Sequence, residues 1–456
     1  MGRKLRRVRR LKSRVVRSTS KAKGKTGSTY NAGLEAGYNE GLKTGFSCYD
    51  SLFEGTSIII PSYNQVGYLK SCIDSISENT ELPYEIIVVD NASTDGTGAY
   101  LRGLGGQVRF RVLQENYGFA GAVNMGMMMA KGTTMLILNN DTLVTDNWLE
   151  NLMTCLQSSE DIGMVGPVTN YISGDQQISV PYQDVADMPE FARLNNISDP
   201  KKWHPTDRLP GFCLLFRREL WEKVGYLDEG FEIGNFEDDD FNVRVRLQGY
   251  SLVIARDSFI HHFGSVSMKA LGDQFEEVNN RNMVYYMNKW GNPYEWIHHL
   301  KNGVFQGGTL HPARGEAAFY PEGVAVQGTG ETIFWIENGL RRPIAGDWAG
   351  PVVRLPQVTL RRWAIGEAIS SVDAHAIWQY IQDSSILAPL HGKVASGMDG
   401  FFYYIEHGAK RRIITEAAAM AWGLNARLQA SLTFGQLAEL PEGLPLIPPI
   451  KLRQRL

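Results

Sequence analysis

One stretch of the chain ends an apolar run on a cluster of polar oxygens. In TTMLILNNDT, residues 133–142, the run Met135–Leu138 stops on Asn139, Asn140 and Asp141. Such a run reads as a fully buried strand. In an open α/β sheet, ligands sit at the carboxyl ends of buried strands. Oxygen-only side chains there suit a hard divalent cation and the phosphates it carries. A polar turn after a core strand is the plainer reading of these ten residues alone. Three other polar clusters follow apolar runs: Pro61-Ser62-Tyr63-Asn64, Asp90-Asn91-Ala92-Ser93 and Asn116-Tyr117-Gly118-Phe119. If the strands are parallel, all four clusters meet at one sheet edge. Downstream lie Glu237-Asp238-Asp239-Asp240, at the start of a helical pattern, and the pair His261-His262 after an apolar strand. Acids in a first turn also favour the helix dipole. Adjacent strand residues face opposite ways, so at most one histidine of the pair serves as a ligand. Neither GxGxxG nor GxxxxGK[ST] occurs, which disfavours dinucleotide oxidoreductases and P-loop enzymes. Asp and Asn oxygens with one aromatic suit a nucleoside and a metal-bound diphosphate.

Alternating strands and helices must position these groups. Ser57–Ile60 and Ile86–Val89 read as buried strands, and Val108–Leu113 as a third. Leu69, Cys72, Ile73 and Ile76 mark one face of a helix between the first two, and a short helix follows Asp95-Gly96. Phe119–Ala130 is a helix rich in Ala, Gly and Met, and another runs near Asn147–Gln157. Strands are expected at Ile162–Val165, Gly211–Phe216 and Leu252–Ala255, and helices up to Val224, over Glu237–Leu247 and over Gln274–Trp290. The polar stretch 169–208 shows few periodic features. The pattern predicts an α/β domain with a mostly parallel sheet and right-handed crossovers.

The last ~140 residues differ in kind. TIFWIENGLRRPI, 332–344, is strand, Asn338-Gly339, strand, a strong hairpin signal. FFYYIEHGAKRRI, 401–413, repeats it 69 residues later, and Gly323 and Gly392 are also 69 apart. A smaller β-rich domain of two hairpin-centred copies is expected, the two packing together. At the other end, residues 1–25 hold twelve of the 46 Lys and Arg and no acid, so the net charge of −3 hides a basic tail before an acidic body. Such a tail suits a polyanion, with an anionic membrane surface favoured over nucleic acid. Glycines 33, 37, 41 and 45 and Tyr30, Leu34, Tyr38 and Leu42 step by four, which reads as a weakly ordered interaction segment. Cys48, Cys72, Cys155 and Cys213 fit no metal spacing, and Cys72 and Cys213 read as reduced core residues. No stretch approaches a membrane span and no secretory h-region follows the basic start. A cytoplasmic protein, peripheral at the inner face of the membrane, is expected.

Residues 56–290 resemble a family 2 glycosyltransferase with the GT-A (Rossmann-like) fold, nearest the rhamnosyltransferase-like branch. Seven motifs carry the resemblance in order: SIIIPSYN, IIVVDNASTDGT, ENYGFAGAVNMG, LILNNDT, LPGFCLLFRRELWEKVGYLDEGF, FEDDDFNVRVRLQGY and IHHFGSVS. It implies a base pocket of Pro61, Tyr63 and Asn64, with Asp90 bonding the nucleoside and Asn91, Ser93 and Asp95 completing that loop. It implies that Asn116, Gly118, Phe119, Ala120 and Asn124 cover the nucleotide and donor sugar. Asn139 and Asn140 precede Asp141, which matches the last Asp of a DxD-type metal motif. Asp238, in the Glu237-Asp238 pair, matches the catalytic base. His262 or His261 matches a histidine reaching the metal or diphosphate, with His262 preferred because Ser267 lies five residues on. The implied cofactor is Mn²⁺ or Mg²⁺. The implied partners are a UDP- or dTDP-sugar and a glycan or lipid-linked acceptor. The implied division is tail 1–54, GT-A domain 55–292, linker 293–320 and hairpin-repeat domain 321–456. Asn139, where many relatives keep Asp, leaves a second reading open: a catalytically weak nucleotide-sugar-binding module whose C-terminal repeats mediate binding or assembly.

Overall fold

The computed structural model describes residues 51–453, apart from 265–271, 273, 293–294, 297, 299–314, 384–389, 398, 428, 431 and 433. The basic tail, the glycine-periodic segment, Ser267 and most of the expected linker lie outside the described residues. From Phe53 onward the chain forms one compact unit.

The amino half of this unit is a nine-stranded sheet between helices. Its strands are β1 (Phe53–Ser62), β2 (Tyr84–Asp90), β3 (Arg109–Val112), β4 (Gly132–Leu138), β5 (Thr142–Val144), β6 (Ile162–Val168), β7 (Trp203–Thr206), β8 (Cys213–Arg217) and β9 (Ser251–His262). The order is β3-β2-β1-β4-β8-β6-β9-β5, with β7 also on β9. Strands β1 to β4 are mutually parallel, as are β6 and β9, while β8 runs antiparallel to both β4 and β6. The mixed α/β sheet is thus mostly parallel at its centre. The chain winds outward from β1 to β3 and then returns to place β4 on the other side of β1. That reversal is the topological switch point at which α/β sheets open a crevice.

Alternation along the strands divides two cores. Ile58, Ile60, Leu136 and Leu138 face one layer, and Ile59, Met135 and Ile137 face the other. On the first face pack α1 (Val66–Asn79), through Leu69, Cys72, Ile73 and Ile76, and α4 (Trp148–Gln157); α2 (Thr97–Gly103) joins them through Leu101, and α3 (Gly118–Met129) packs on the opposite face. Strands covered on both faces explain why these runs are continuously apolar rather than alternating. Polar stretch 169–208, which shows no period, holds α5 (Met188–Asn195) and the short edge strand β7. Helix α6 (Arg218–Val224) and the buried helix α7 (Glu237–Leu247) follow, then α8 (Gln274–Trp290).

The carboxyl half builds two small sheets around Ile333–Glu337 with Leu340–Ala345, and Phe402–Glu406 with Ala409–Arg412. Asn338 and Gly339 take φ of 52° and 70°, and His407 and Gly408 take 50° and 74°, the left-handed pair a two-residue hairpin needs. Ala325 pairs with Trp335 and Val394 with Tyr404, the same register 69 residues apart. Neither hairpin is left to bury its face alone. Ile336 and Tyr404 join a core with Val243 and Leu247 of α7, Tyr286 and Trp290 of α8, and Phe319. Helix α7 turns Phe241 and Val245 the opposite way, into the sheet core. It is therefore buried from two sides.

A buried ion cluster crosses this junction. Asp240 on α7 pairs with Arg244 at 2.8 Å and Lys289 of α8 at 2.6 Å; Lys289 also reaches Asp228 at 2.8 Å, and each of these side chains is at most 1% exposed. Burial pulls the Asp240 carboxyl upward, but Lys289 and Arg244 outweigh it and hold the group below its ordinary range. We expect Lys289→Met to destabilise the protein by about 3–5 kcal/mol, because the buried Asp228 and Asp240 lose the cation they share. A lowered urea midpoint at unchanged slope would show it. A midpoint within error of the native chain would contradict it.

Candidate active site

The four predicted loops do meet at the carboxyl edge of β1 to β4. They open on a cavity of about 650 Å³ lined by Pro61, Ser62, Tyr63, Asn91, Asn116, Gly118, Phe119, Asn139, Asn140 and Asp141, with Glu237, Asp238 and His262 from downstream.

The floor is fixed by amide side chains. Asn91 donates from Nδ2 to Asn116 Oδ1 (2.8 Å) and to the Gly118 carbonyl (3.0 Å), and its Oδ1 accepts from Tyr117 N–H. Asn116 Oδ1 also accepts from Gly118 N–H at 2.8 Å. Gly118 has φ +71°, and a Cβ there would approach Ile233 N to 3.1 Å. The opposing loop is strained in its turn: Ile233, Asn235 and Phe236 all have positive φ. For a β-branched residue such as Ile233 that is an outlier, and such strain concentrates at functional sites. Phe119 N–H to the Ile233 carbonyl, 2.6 Å, ties the two loops together.

At one end of the cavity Asp141 and His262 converge. His262 Nδ1 lies 2.8 Å from the Tyr171 carbonyl, which can only accept, so Nδ1 carries the proton. In the neutral ring Nε2 then presents a lone pair, 3.3 Å from Asp141 Oδ1 and without a hydrogen bond. Two acceptors facing each other across that gap fit a cation between them. Asn170 clasps the His262 backbone at both N–H and C=O, and Phe212 stacks on the ring at 5.3 Å. Toward Asp238, Oδ2 accepts from Gly211 N–H at 2.7 Å and Oδ1 from Asp239 N–H at 2.9 Å. A Cβ on Gly211 would lie 3.2 Å from the Asp238 Cβ, so glycine permits the approach. Asp239 faces outward to Arg208 at 2.5 Å. Burial and then the charge of Asp238 raise Asp239 to about 6, against the opposing pull of Arg208.

Some residues matched by motif lie elsewhere. Asn64 accepts from Thr94 N–H and Ser93 Oγ from Asn64 N–H, so this pair shapes the loop behind Tyr63. Asp90 is fully buried; Oδ1 accepts from Ser93 N–H and Oδ2 has no partner. Ala120 packs in the sheet core. Asn124 bonds both ways with Leu227 and donates to Glu229, fastening α3 to the loop before α7. His261 points away from His262, with Nδ1 2.8 Å from the Tyr182 hydroxyl. Residues given no role from sequence but lining the cavity include Tyr171, Arg208, Gly211, Phe212 and Asn235. The Pro210-Gly211 step inside the fifth motif was a readable signal for two of them; Tyr171, in the aperiodic stretch, had none.

A family model for "Glycosyl transferase family 2" matches residues 57–225. Glycosyltransferase GlyG of Streptococcus pneumoniae is 38% identical over 209 residues, 44% of this chain and 68% of the relative. Chondroitin synthase of Pasteurella multocida is 27% identical over 46% of this chain, which spans only 24% of that enzyme. Among solved structures, GalNAc-T7 with UDP, GalNAc and Mn²⁺ aligns with a TM-score of 0.41 at 17% identity, over 53% of this chain and 50% of that one.

Burial, and then the neighbouring His262, depress His261 from 6.5 to about 4. The unfolded chain therefore binds this proton first. Stability should fall as pH drops from about 6.5 toward 4, and His261→Leu should flatten that slope. Urea midpoints measured across this range check the expectation, which fails if the slope is unchanged. The match over the sheet and the extent of the GlyG alignment establish that the chain belongs to glycosyltransferase family 2.

Proposed function

We propose that this glycosyltransferase moves a sugar from a nucleoside diphosphate to an acceptor hydroxyl in one inverting displacement, with Asp238 as general base. The observation that carries this reading is a single cavity holding the Asp141–His262 pair and an Asp238 carboxylate fixed by backbone N–H groups. Asp238 takes the acceptor proton as the oxygen attacks the anomeric carbon, and the bond from that carbon to the diphosphate oxygen breaks. Attack opposite the leaving group inverts the centre. Asp141 and His262 would hold Mn²⁺ or Mg²⁺, which when bound supplies a Lewis acid for the leaving diphosphate. Tyr63, 41% exposed, offers a face for the base, and Asn91, Asn116 and Gly118 frame the nucleotide's path. A UDP- or dTDP-sugar is the proposed donor.

A glycan or lipid-linked acceptor is proposed, in keeping with the polysaccharide named for the chondroitin synthase relative. Among the described residues no helix is long and apolar enough to cross a membrane. The basic residues 1–25 suit attraction to an anionic membrane surface. The boundaries 55–292 for the catalytic domain and 321–456 for the hairpin repeats are part of the same proposal.

Asp238→Asn should lower kcat about 10²–10⁴-fold while donor binding by calorimetry changes little. Asp141→Ala should instead abolish the stabilisation by Mn²⁺ that depends on bound donor. Turnover of a donor panel, with the product anomer read by NMR, is the test. A retained anomer overturns the displacement. Equal inactivity of native chain and both variants favours the binding-module reading.

A further inference from the structure

We propose that Glu237 is a specificity-determining residue: its carboxyl, set in the cavity wall beside the base, donates a hydrogen bond to a hydroxyl of a sugar bound there. The inference rests on the reading of Asp238 as the base.

Glu237 lines the cavity yet is only 4% exposed, and its Oε2 is buried without a hydrogen-bond partner. A buried polar atom left unmatched in a cavity wall is a place for a ligand group. Among the described residues Glu237 makes no ion pair. The nearby cations are committed elsewhere: Arg208 pairs with Asp239, and Arg244 and Lys289 pair with Asp240. Asp238 stands next to it on the same turn, and Asp141 and His262 line the same cavity. A negative Glu237 in this setting would be a desolvated, uncompensated charge. Burial first, and then Asp238, Asp239 and Asp240, raise its carboxyl well above the ordinary 4.5, opposed by its own backbone N–H. A neutral carboxyl brings an O–H to a cavity that already holds acceptors, and a sugar hydroxyl oxygen can receive it. Two adjacent carboxyls driven apart in acidity can divide such work, the charged one abstracting a proton and the neutral one donating a hydrogen bond.

The hydroxyl belongs either to the donor sugar or to the acceptor, and the test separates these. Glu237→Gln keeps a hydrogen-bond donor of the same shape, while Glu237→Ala removes it. In the full chain, Glu237→Ala should raise one KM about tenfold with kcat changed less. It will be the nucleotide-sugar KM, measured as hydrolysis without acceptor, or the acceptor KM, measured as transfer. Glu237→Gln should stay within about threefold of native. Independently of turnover, infrared difference spectra at pH 7 should show a protonated-carboxyl C=O band in the native protein that Glu237→Gln removes. The proposal is overturned if that band is absent, if Gln loses as much as Ala, or if Ala moves neither KM. An Asp238→Asn enzyme with native kcat would remove the base assignment instead, and leaves the band and the two KM values to decide Glu237 alone.

Discussion

Four charges buried away from water fix how α7 and α8 meet. Asp228 and Asp240 carry two negative charges against the two positive charges of Lys289 and Arg244, and every oxygen of the two carboxylates accepts a hydrogen bond. Asp240 accepts from Arg244, Lys289 and Trp290 Nε1. Asp228 accepts from Lys289, the Tyr285 hydroxyl and the backbone N–H of Gly230 and Lys451. Arg244 donates to the Val224 carbonyl as well. Ion pairs this deep are weak evidence for net stability, since desolvation consumes most of the attraction. What they do impose is geometry. Removing any one partner strands a charge, so α7 and α8 have one acceptable register against each other.

That register matters because α7 carries four successive acids into the middle of the molecule. The environment sorts them. Asp240 faces inward and stays charged between two cations. Asp239 faces out to Arg208. Asp238 turns to the cavity with both oxygens held by backbone N–H groups. Glu237 has neither a cation nor a partner for Oε2. One run of similar residues thus holds different chemistry at each position, set by a helix that is buried on two sides.

Much of this was legible in the sequence, for physical reasons. Continuous apolar runs specify strands covered on both faces, and their polar ends had to share an edge once the strands were parallel. The alternation of a strand separated His261 from His262, and the structure turns them to different partners, Tyr182 and Tyr171. The ion cluster was not legible. Asp240 reads as one of several first-turn acids that favour the helix dipole, and nothing local brings Lys289 and Asp228 to meet it. Asn124 shows a different failure. A motif fixes a residue type without saying which way it faces, and here the side chain serves the neighbouring loop rather than the cavity.

The carboxyl-terminal segment extends the same constraint to the Gly118-Phe119 side of the cavity. Ile450 and Leu452 enter the core that holds α3 and α7, and Ile450 N–H reaches the Tyr320 hydroxyl. Lys451 N–H bonds Asp228, Lys451 C=O accepts from Glu229 N–H, and Arg453 N–H bonds Glu229. Glu229 in turn receives Asn124 from α3, the helix whose first turn is Gly118-Phe119. One extended segment therefore touches, through adjacent acids, both the helix that opens on Gly118-Phe119 and the ion cluster behind Asp238. Catalysis by positioning tolerates little error, since a displacement of about 1 Å at the reacting groups can cost 10²-fold in rate. The β-rich half need not touch substrate to matter to the reaction. Its packing against α7 and α8, and the return of the chain over Asp228 and Glu229, fix the distance between the Gly118-Phe119 loop and the Asp238 carboxylate.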